Sequence, residues 1–311
     1  MFRVRDRVPS ALGFILGVLP FVLILVLYTV ASQRRHAENP KDKLMPNLAQ
    51  IAKGWDDVWR QRVGSYEDVV VAEGDTAASL ADRISGDSAF SEEIKGEVVV
   101  GENVRVPIME RYFLKDTFAS LRRLGLGMLI GVGIALTLGL LMGVFTPVEK
   151  LLYPVVAALA KIPPLAILPI IFIFQGIGEP AKITIIALGI APTMILDILM
   201  RAKDIATELI TKAYTLGAST LEVVFKVVLP QIWPSFLNAI RLALGPAWVF
   251  LIASEAIAAD AGLGYRIFVV QRQLGMNVIL IYVAWIMVIG LAIDAILRLT
   301  ITRRYGWAEV K

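Results

Sequence analysis

The chain has 311 residues, 57% of them hydrophobic, and a mean hydropathy of +0.70, too apolar for a water-soluble domain of this length. It holds no cysteine and a single histidine, His36, which excludes disulfides, a thiolate nucleophile and any metal site built from cysteines or several histidines. The net charge of +4 is split, with 12 Lys+Arg against 16 Asp+Glu in residues 32–117 and 19 against 11 elsewhere; this is a membrane-topology pattern, since no basic groove is interleaved with aromatics as nucleic-acid binding would need.

Residues 1–31 comprise a basic tail (Arg3, Arg5, Arg7) and an apolar run, Ala11–Ala31. The run is long enough for a hydrocarbon core that takes roughly 20 helical residues. A charged start before an apolar run also fits a signal peptide. The length of the run and the poor cleavage site at Ala31-Ser-Gln-Arg-Arg favour a retained span, with the arginines keeping the N-terminus in the cytoplasm.

Residues 32–117 are soluble in character and are expected outside the cytoplasm. Leu48, Ile51, Ala52, Trp55, Val58 and Trp59 share one helical face. That face suits either a helix on the membrane surface, with tryptophans at the headgroups, or a core helix of a small domain. Val69–Pro107 reads strand, helix, helix, strand, with a turn at Glu73-Gly-Asp and a cap from Asp75 or Thr76. Its second helix is expected at Ser88–Lys95. The GDT start and the GENVRVP end resemble a LysM module, which implies contact with peptidoglycan through 69–107. The alternative is a small α+β insertion that stabilises or helps dock a binding protein.

Residues 118–311 hold five further spans. Leu124–Phe145 carries Gly127-x3-Gly131 and Gly139-x3-Gly143, which let helices pack backbone to backbone in lipid. Arg122 and Arg123 precede it on the outer side, against the positive-inside rule. Leu151–Phe174 contains Pro154, Pro163, Pro164 and Pro169 and cannot be one straight helix. Broken backbone at membrane depth needs protein or a water-filled cavity around it. Lys161, Pro163 and Pro164 are therefore candidates for a translocation path or gate, with a kinked packing helix as the alternative. Lys182–Met200 bends at Pro192, Ser235–Ala259 at Pro246. After the turn Ala261-Gly-Leu-Gly-Tyr and a re-entrant or surface helix at Ile267–Leu274, Val278–Leu297 is the last span. Arg298, Arg303 and Arg304 follow it, so both termini are expected in the cytoplasm.

Ionisable groups inside spans are functional candidates. Arg241 lines the path or snorkels to the inner surface. Glu255, near the outer end of its span, lines the path, holds an outer gate by a hydrogen bond, or is solvated at the interface. Asp294 is expected to pair with Arg298 one turn away. No acid and base are paired and no nucleophile has a partner; there is no P-loop G-x-x-x-x-G-K-[ST] either, so no catalysis is expected.

Between the fourth and fifth spans lies the loop 201–230. Ala213, Gly217 and Ala218 recur at helical spacing, leaving one face nearly bare, and Leu229-Pro230 is expected to stop that helix. A short polar helix between spans is a good shape for docking. The loop resembles the EAA loop of bacterial ABC importer permeases: Ala213, Gly217, Val227, Leu229 and Pro230 stand in register. Thr211 stands where the glutamate is usual and Lys212 where an alanine is; the nearest acid, Glu208, is three residues early. AKIPPLAILPIIFIFQGIGEPAKI, VVLPQIWPSFLNAIRLALGPAW, LIASEAI and AGLGYRI are similar to the nitrate, sulfonate and taurine branch of these permeases, over roughly Leu114–Trp307. The insertion at about Val63–Arg111 has no counterpart.

The resemblance implies an all-α polytopic fold of six transmembrane helices in the bacterial inner membrane. It implies a homodimeric permease that engages two copies of a cytoplasmic ABC ATPase, which alone binds ATP and Mg. The coupling helix would lie around Ala213–Glu222, with Glu208, Thr211, Lys212, Leu229 and Pro230 beside it. A periplasmic binding protein would deliver a small anion such as nitrate, a sulfonate or taurine. No cofactor or metal is expected on this chain itself. The competing reading, an ion-coupled secondary transporter, would need an intramembrane ionisable relay and bent spans repeated in both halves. A membrane anchor that binds the cell wall would rest on Val69–Pro107 alone and would not need five further spans.

Overall fold

In a computed structural model, which describes residues 10–39, 42–59, 62–72, 74–85, 88–96 and 98–305, the largest seam is made by glycine. Helix α4 (Tyr112–Val144) and helix α7 (Glu179–Lys203) run side by side. A Cβ on Gly127 would lie 2.6 Å from Ile186, on Gly131 2.8 Å from Ile190, on Gly139 2.7 Å from Ile198 and on Gly143 2.5 Å from Ala202. Both partner series advance in equal steps, so the helices are parallel. The stripe of small residues continues through Ala135, which is fully buried. Two small-x3-small pairs therefore work as one ladder, backbone against side chain, as close packing in lipid requires.

Parallel neighbours need a return path. It is supplied by α5 (Thr146–Leu159) and α6 (Pro164–Gln175), which meet at 97°. Pro163 stands at the start of α6 and Pro164 is its first residue, where a missing amide proton costs nothing. The break expected from four prolines falls here.

Helix α8 (Thr207–Thr215) follows α7. The chain then runs helically from Thr220 to Ala258: α9 (Thr220–Glu222), a π turn at Val223–Val228, and α10 (Leu229–Ala258). The Phe250 ring lies on Gly189 of α7. Ile185, Ile190, Ile198, Phe236 and Leu251 belong to the buried core these helices share. After a turn come α11 (Leu263–Gln271) and α12 (Met276–Arg304).

The chain divides into two compact units, Met1–Arg60 with Val269–Val283, and Gln61–Phe268 with Ala284–Lys311. The expected segment 32–117 is thus shared between them. In the first unit, α1 (Ser10–Glu38) is followed by a return held by hydrogen bonds from Tyr28 to the Pro46 carbonyl and from Ser32 to the Met45 carbonyl. The Leu44 amide and Arg35 hold the Asp42 carboxyl below the usual carboxylate range. Helix α2 (Leu48–Trp59) lays Gly54 against Asn277 and Ile281 and buries Val58, while Trp55 stays exposed.

In the second unit, β1 (Arg62–Val70) pairs antiparallel with β2 (Asn103–Glu110). Helix α3 (Ala77–Ser85) and a 3-10 turn at Ser88–Glu93 lie between them in sequence, giving the expected strand–helix–helix–strand order. Thr76, rather than Asp75, accepts the Ser79 amide at the helix start. Val71, Leu80, Val104 and Val106 form the small core.

Among the described residues, five helices are long and apolar enough to cross a membrane, or six if the bent α5–α6 pair is one span. The basic tail at Arg3–Arg7, the turn residue Glu73 and Trp307 lie outside the described residues.

Candidate functional site

The 207–230 segment is a hairpin of two helices, which corrects the expectation of one helix across Ala213–Glu222. Two local signals end α8 and begin α9. Gly217 takes φ +85°, and the amides of Gly217 and Ala218 bond back to the Tyr214 and Ala213 carbonyls, a Schellman end that glycine permits. Ser219 then caps α9 reciprocally with Glu222: the Glu222 amide reaches the Ser219 hydroxyl and the Ser219 amide the Glu222 carboxylate. Lys226 pairs with Glu222 at 2.8 Å one turn later.

Leu229-Pro230 does not stop the helix. The preceding π turn carries the Leu229 amide to the Val224 carbonyl, and Pro230 follows directly on this shift of register inside the continuous helical run. The helix continues to Ala258.

Two of the three small residues also face the other way from expectation, while Gly217 stays exposed. Ala213 and Ala218 turn inward with Ile210 and Val227 against buried Ala202, Val223 and Val228 and the ends of α4 at Leu140 and Val144. The outward side carries apolar side chains: Leu216 is 88% exposed, Leu221 68% and Phe225 61%. A Cβ on Gly217 would meet nothing within 4 Å. Glu208, Thr211 and Lys212 are exposed on α8, and Thr211 donates to the Thr207 carbonyl, so the position usual for glutamate is spent on the helix itself.

The opposite end of α10 is an ionic cluster built on a buried carboxylate, Glu255, with a second, Glu179, half exposed at its edge. Glu255 is wholly buried and accepts from the Ser120 hydroxyl at 2.7 Å, Arg123 Nη1 at 2.7 Å and the Gly264 amide at 2.9 Å. Arg123 also donates to both Glu179 oxygens, at 2.6 and 2.8 Å, and to the Ala261 carbonyl at 2.6 Å. Lys182 joins Glu179 at 2.9 Å. Asp116 accepts the Gly262 amide and Arg266 Nε, and Ser120 accepts the Leu263 amide. Three successive amides, 262 to 264, thus point at acceptors on α4 and α10. Gly262 takes φ +141°, and a Cβ there would sit 2.5 Å from the Glu255 carboxylate.

Glu255 therefore neither lines an opening nor sits solvated in this structure. Arg123, which counted against the positive-inside rule, is neutralised inside the protein. Asp116, Ser120, Glu179 and Lys182 were not singled out by sequence; the out-of-place arginine was the available signal. Beside this cluster an open cavity of about 390 Å³ is lined by Ile177, Gly178, Glu179, Lys182 and residues 257–260.

The remaining path candidates are not brought together. Arg241 forms a two-pronged pair with Asp294, at 2.8 and 3.0 Å, from α10 to α12. This corrects the expected Asp294–Arg298 pair: the planar guanidinium fork matches both carboxylate oxygens, which an i,i+4 neighbour on the same helix cannot improve on. Lys161 and Pro163 are exposed at the α5–α6 bend. Among the described residues no group of three or more His, Asp or Glu is placed to hold a metal ion.

Comparison with known proteins adds the following. The profile of the binding-protein-dependent transport system inner membrane components matches residues 131–304, which leaves the βααβ unit outside it. A probable ABC transporter permease of Brucella abortus is 32% identical over 216 residues, covering 70% of this chain and 86% of its own. The taurine transport system permease TauC of Escherichia coli is 34% identical, covering 61% and 69%. The nitrate import permease NrtB of Leptolyngbya laminosa is 26% identical, covering 60% and 66%. In structure the chain is similar to the MetNI methionine ABC transporter in inward-facing form, with a TM-score of 0.52 at 23% identity, over 60% of this chain and 95% of the other; this likeness bears on the fold alone.

Proposed function

The chain belongs to the binding-protein-dependent transport system inner membrane components, and from that we propose that its 207–225 hairpin receives the stroke of an ABC ATPase and moves a path for a small anion. It is a multi-pass permease subunit of an ATP-driven importer, of the nitrate, sulfonate and taurine branch, and hydrolysis belongs to a separate subunit. The proposal extends to a homodimer with two ATPases carrying ATP and Mg, a periplasmic binding protein, and no cofactor on this chain. Both termini and the hairpin face the cytoplasm; residues 32–117 face the periplasm. There the strand–helix–helix–strand order supports a wall-binding module, which pelleting with isolated peptidoglycan tests.

The observation that carries the reading is the two-sidedness of the hairpin. Its inner side is packed on the ends of α4 and α7, and its outer side presents Leu216, Leu221 and Phe225 without cover from the described chain. A partner that grips the outer side moves the helices behind it. ATP shifts the permease between states only in so far as the two states engage the ATPase differently. An ion-coupled carrier is less well supported: Arg123–Glu255 and Arg241–Asp294 are closed pairs at separate depths of α10, not a relay. The test is purification of the tagged chain from its own host. An ATPase subunit should accompany it, and uptake should stop when ATP is depleted; uptake driven by an ion gradient alone would overturn the reading.

A further inference from the structure

The helix that begins at the hairpin ends at the buried cluster. From Ser219 onward the chain is helical to Ala258, and Glu255 lies in its last turn. Glu222 and Glu255 are 33 residues apart, about 50 Å of helix at 1.5 Å per residue. One end is packed on α4 and α7 by Val223 and Val228. The other is fixed to the same two helices by charge: Glu255 to Arg123 of α4, and Arg123 to Glu179 of α7. The 259–264 turn is fixed by its own amides and carbonyl.

A cluster of this kind is not a hinge. The Arg123–Glu255 pair is buried, so removing one partner strands the other charge, which opposes partial opening there; Glu179, half exposed, extends the tie to α7 at the cluster's edge. Every Glu255 oxygen is already used. The cluster and the glycine ladder both hold α4 to its neighbours, at the end far from the hairpin and along the length between.

We propose that Arg123 and Glu255 are positioning residues of the transport cycle: they clamp the far ends of α4, α7 and α10 so that displacement of the hairpin moves that end as one piece. They do not touch the solute; they transmit the stroke. The proposal rests on the transport reading above.

The chain contains no cysteine, so single labels can be placed cleanly. Spin labels at Leu114→Cys, in the first turn of α4 near the cluster, and at Asp204→Cys, beside the hairpin, report the distance between the two copies of the assembled complex. The distances are compared without nucleotide and with ATP and vanadate. In the otherwise native chain both should change. In Glu255→Gln the change at Asp204 should persist, the change at Leu114 should fall by at least half, and uptake should drop about tenfold; Arg123→Lys should fall between. A full change at Leu114 in Glu255→Gln overturns the clamp. Where that variant fails to assemble, Glu179→Gln, which frees only one edge of Arg123, should show the same split at smaller amplitude; a full change at Leu114 there overturns it as well. If Asp204 does not respond even in the native chain, it is the transport reading that fails.

Discussion

Glycine does opposite work in the α4–α7 seam and in the hairpin turn. In the seam it is absence of volume that matters: a Cβ on Gly127 would come within 2.6 Å of Ile186 and 3.1 Å of the Ile183 carbonyl, in backbone that any residue adopts. In the turn it is dihedral freedom: Gly217 has open space around it and φ +85°. The same residue therefore reports a close helix crossing in one place and a chain reversal in the other. Only the first could be read from small-residue spacing; the second needs the capping residues on either side.

The largest effect is expected at the seam. Gly127→Leu has to displace Ile186 and α7 backbone, an overpacking that costs about 3 kcal/mol. We expect loss of the folded permease in detergent, seen as aggregation on size-exclusion chromatography. Gly133→Leu, where a Cβ would meet nothing within 4 Å, should leave yield and melting temperature unchanged. Equal damage from both would mean that α4 does not approach α7 through its glycines.

How much of this was legible follows from which forces are local. The four prolines of Leu151–Phe174 announced the break, since proline acts on its own turn of chain. The small-x3-small pairs announced the seam, and the β-rich runs at the Glu73-Gly-Asp turn and at the turn of Gly101 and Asn103 announced the order of the βααβ unit, though β1 starts earlier, at Arg62, and the second helix is a 3-10 turn. The reading of a single coupling helix failed for a local reason that was visible: Gly217 followed by Ser219-x-x-Glu222 is an end and a start. Pro230 misled because a π turn moved the helix register ahead of it, and nothing in Val223–Val228 signals that. The out-of-place Arg123 marked a position, but its partners were out of reach: Glu179 and Glu255 are far from it in sequence, and Glu255 alone read equally as a path residue, a gate or a solvated charge near a span end.

Substitutions at Gly217 are expected to act at intermediate cost. A β-branched residue at its φ is strained by roughly 1–2 kcal/mol. Gly217→Val should leave insertion intact and lower ATP-driven uptake severely, because the hairpin re-forms with a different turn. Gly217→Asn separates the two uses of glycine, since asparagine tolerates this region of backbone. If dihedral freedom is the whole requirement, the asparagine variant transports nearly as well as the native chain. If it fails as badly as valine, the partner ATPase approaches this turn as closely as α7 approaches Gly127.

The smallest effect on stability is expected from the outward face of the hairpin, and it is the one that tells packing from docking. Leu216 and Leu221 make little use of the chain they belong to, so replacing both by serine should shift unfolding of the isolated permease by no more than about 0.5 kcal/mol. Exposed leucines over lipid-facing helices are ordinary, but α8 and α9 are a short capped hairpin held by serine, glutamate and lysine at its tip. An uncovered apolar face there is stabilising only when something covers it. The double variant should therefore insert and melt like the native chain yet lose the co-purifying ATPase, measured as the ratio of the two subunits after affinity purification. An unchanged ratio would mean that the ATPase grips the hairpin elsewhere, and α8 with its exposed Glu208 and Lys212 would be the next face to alter.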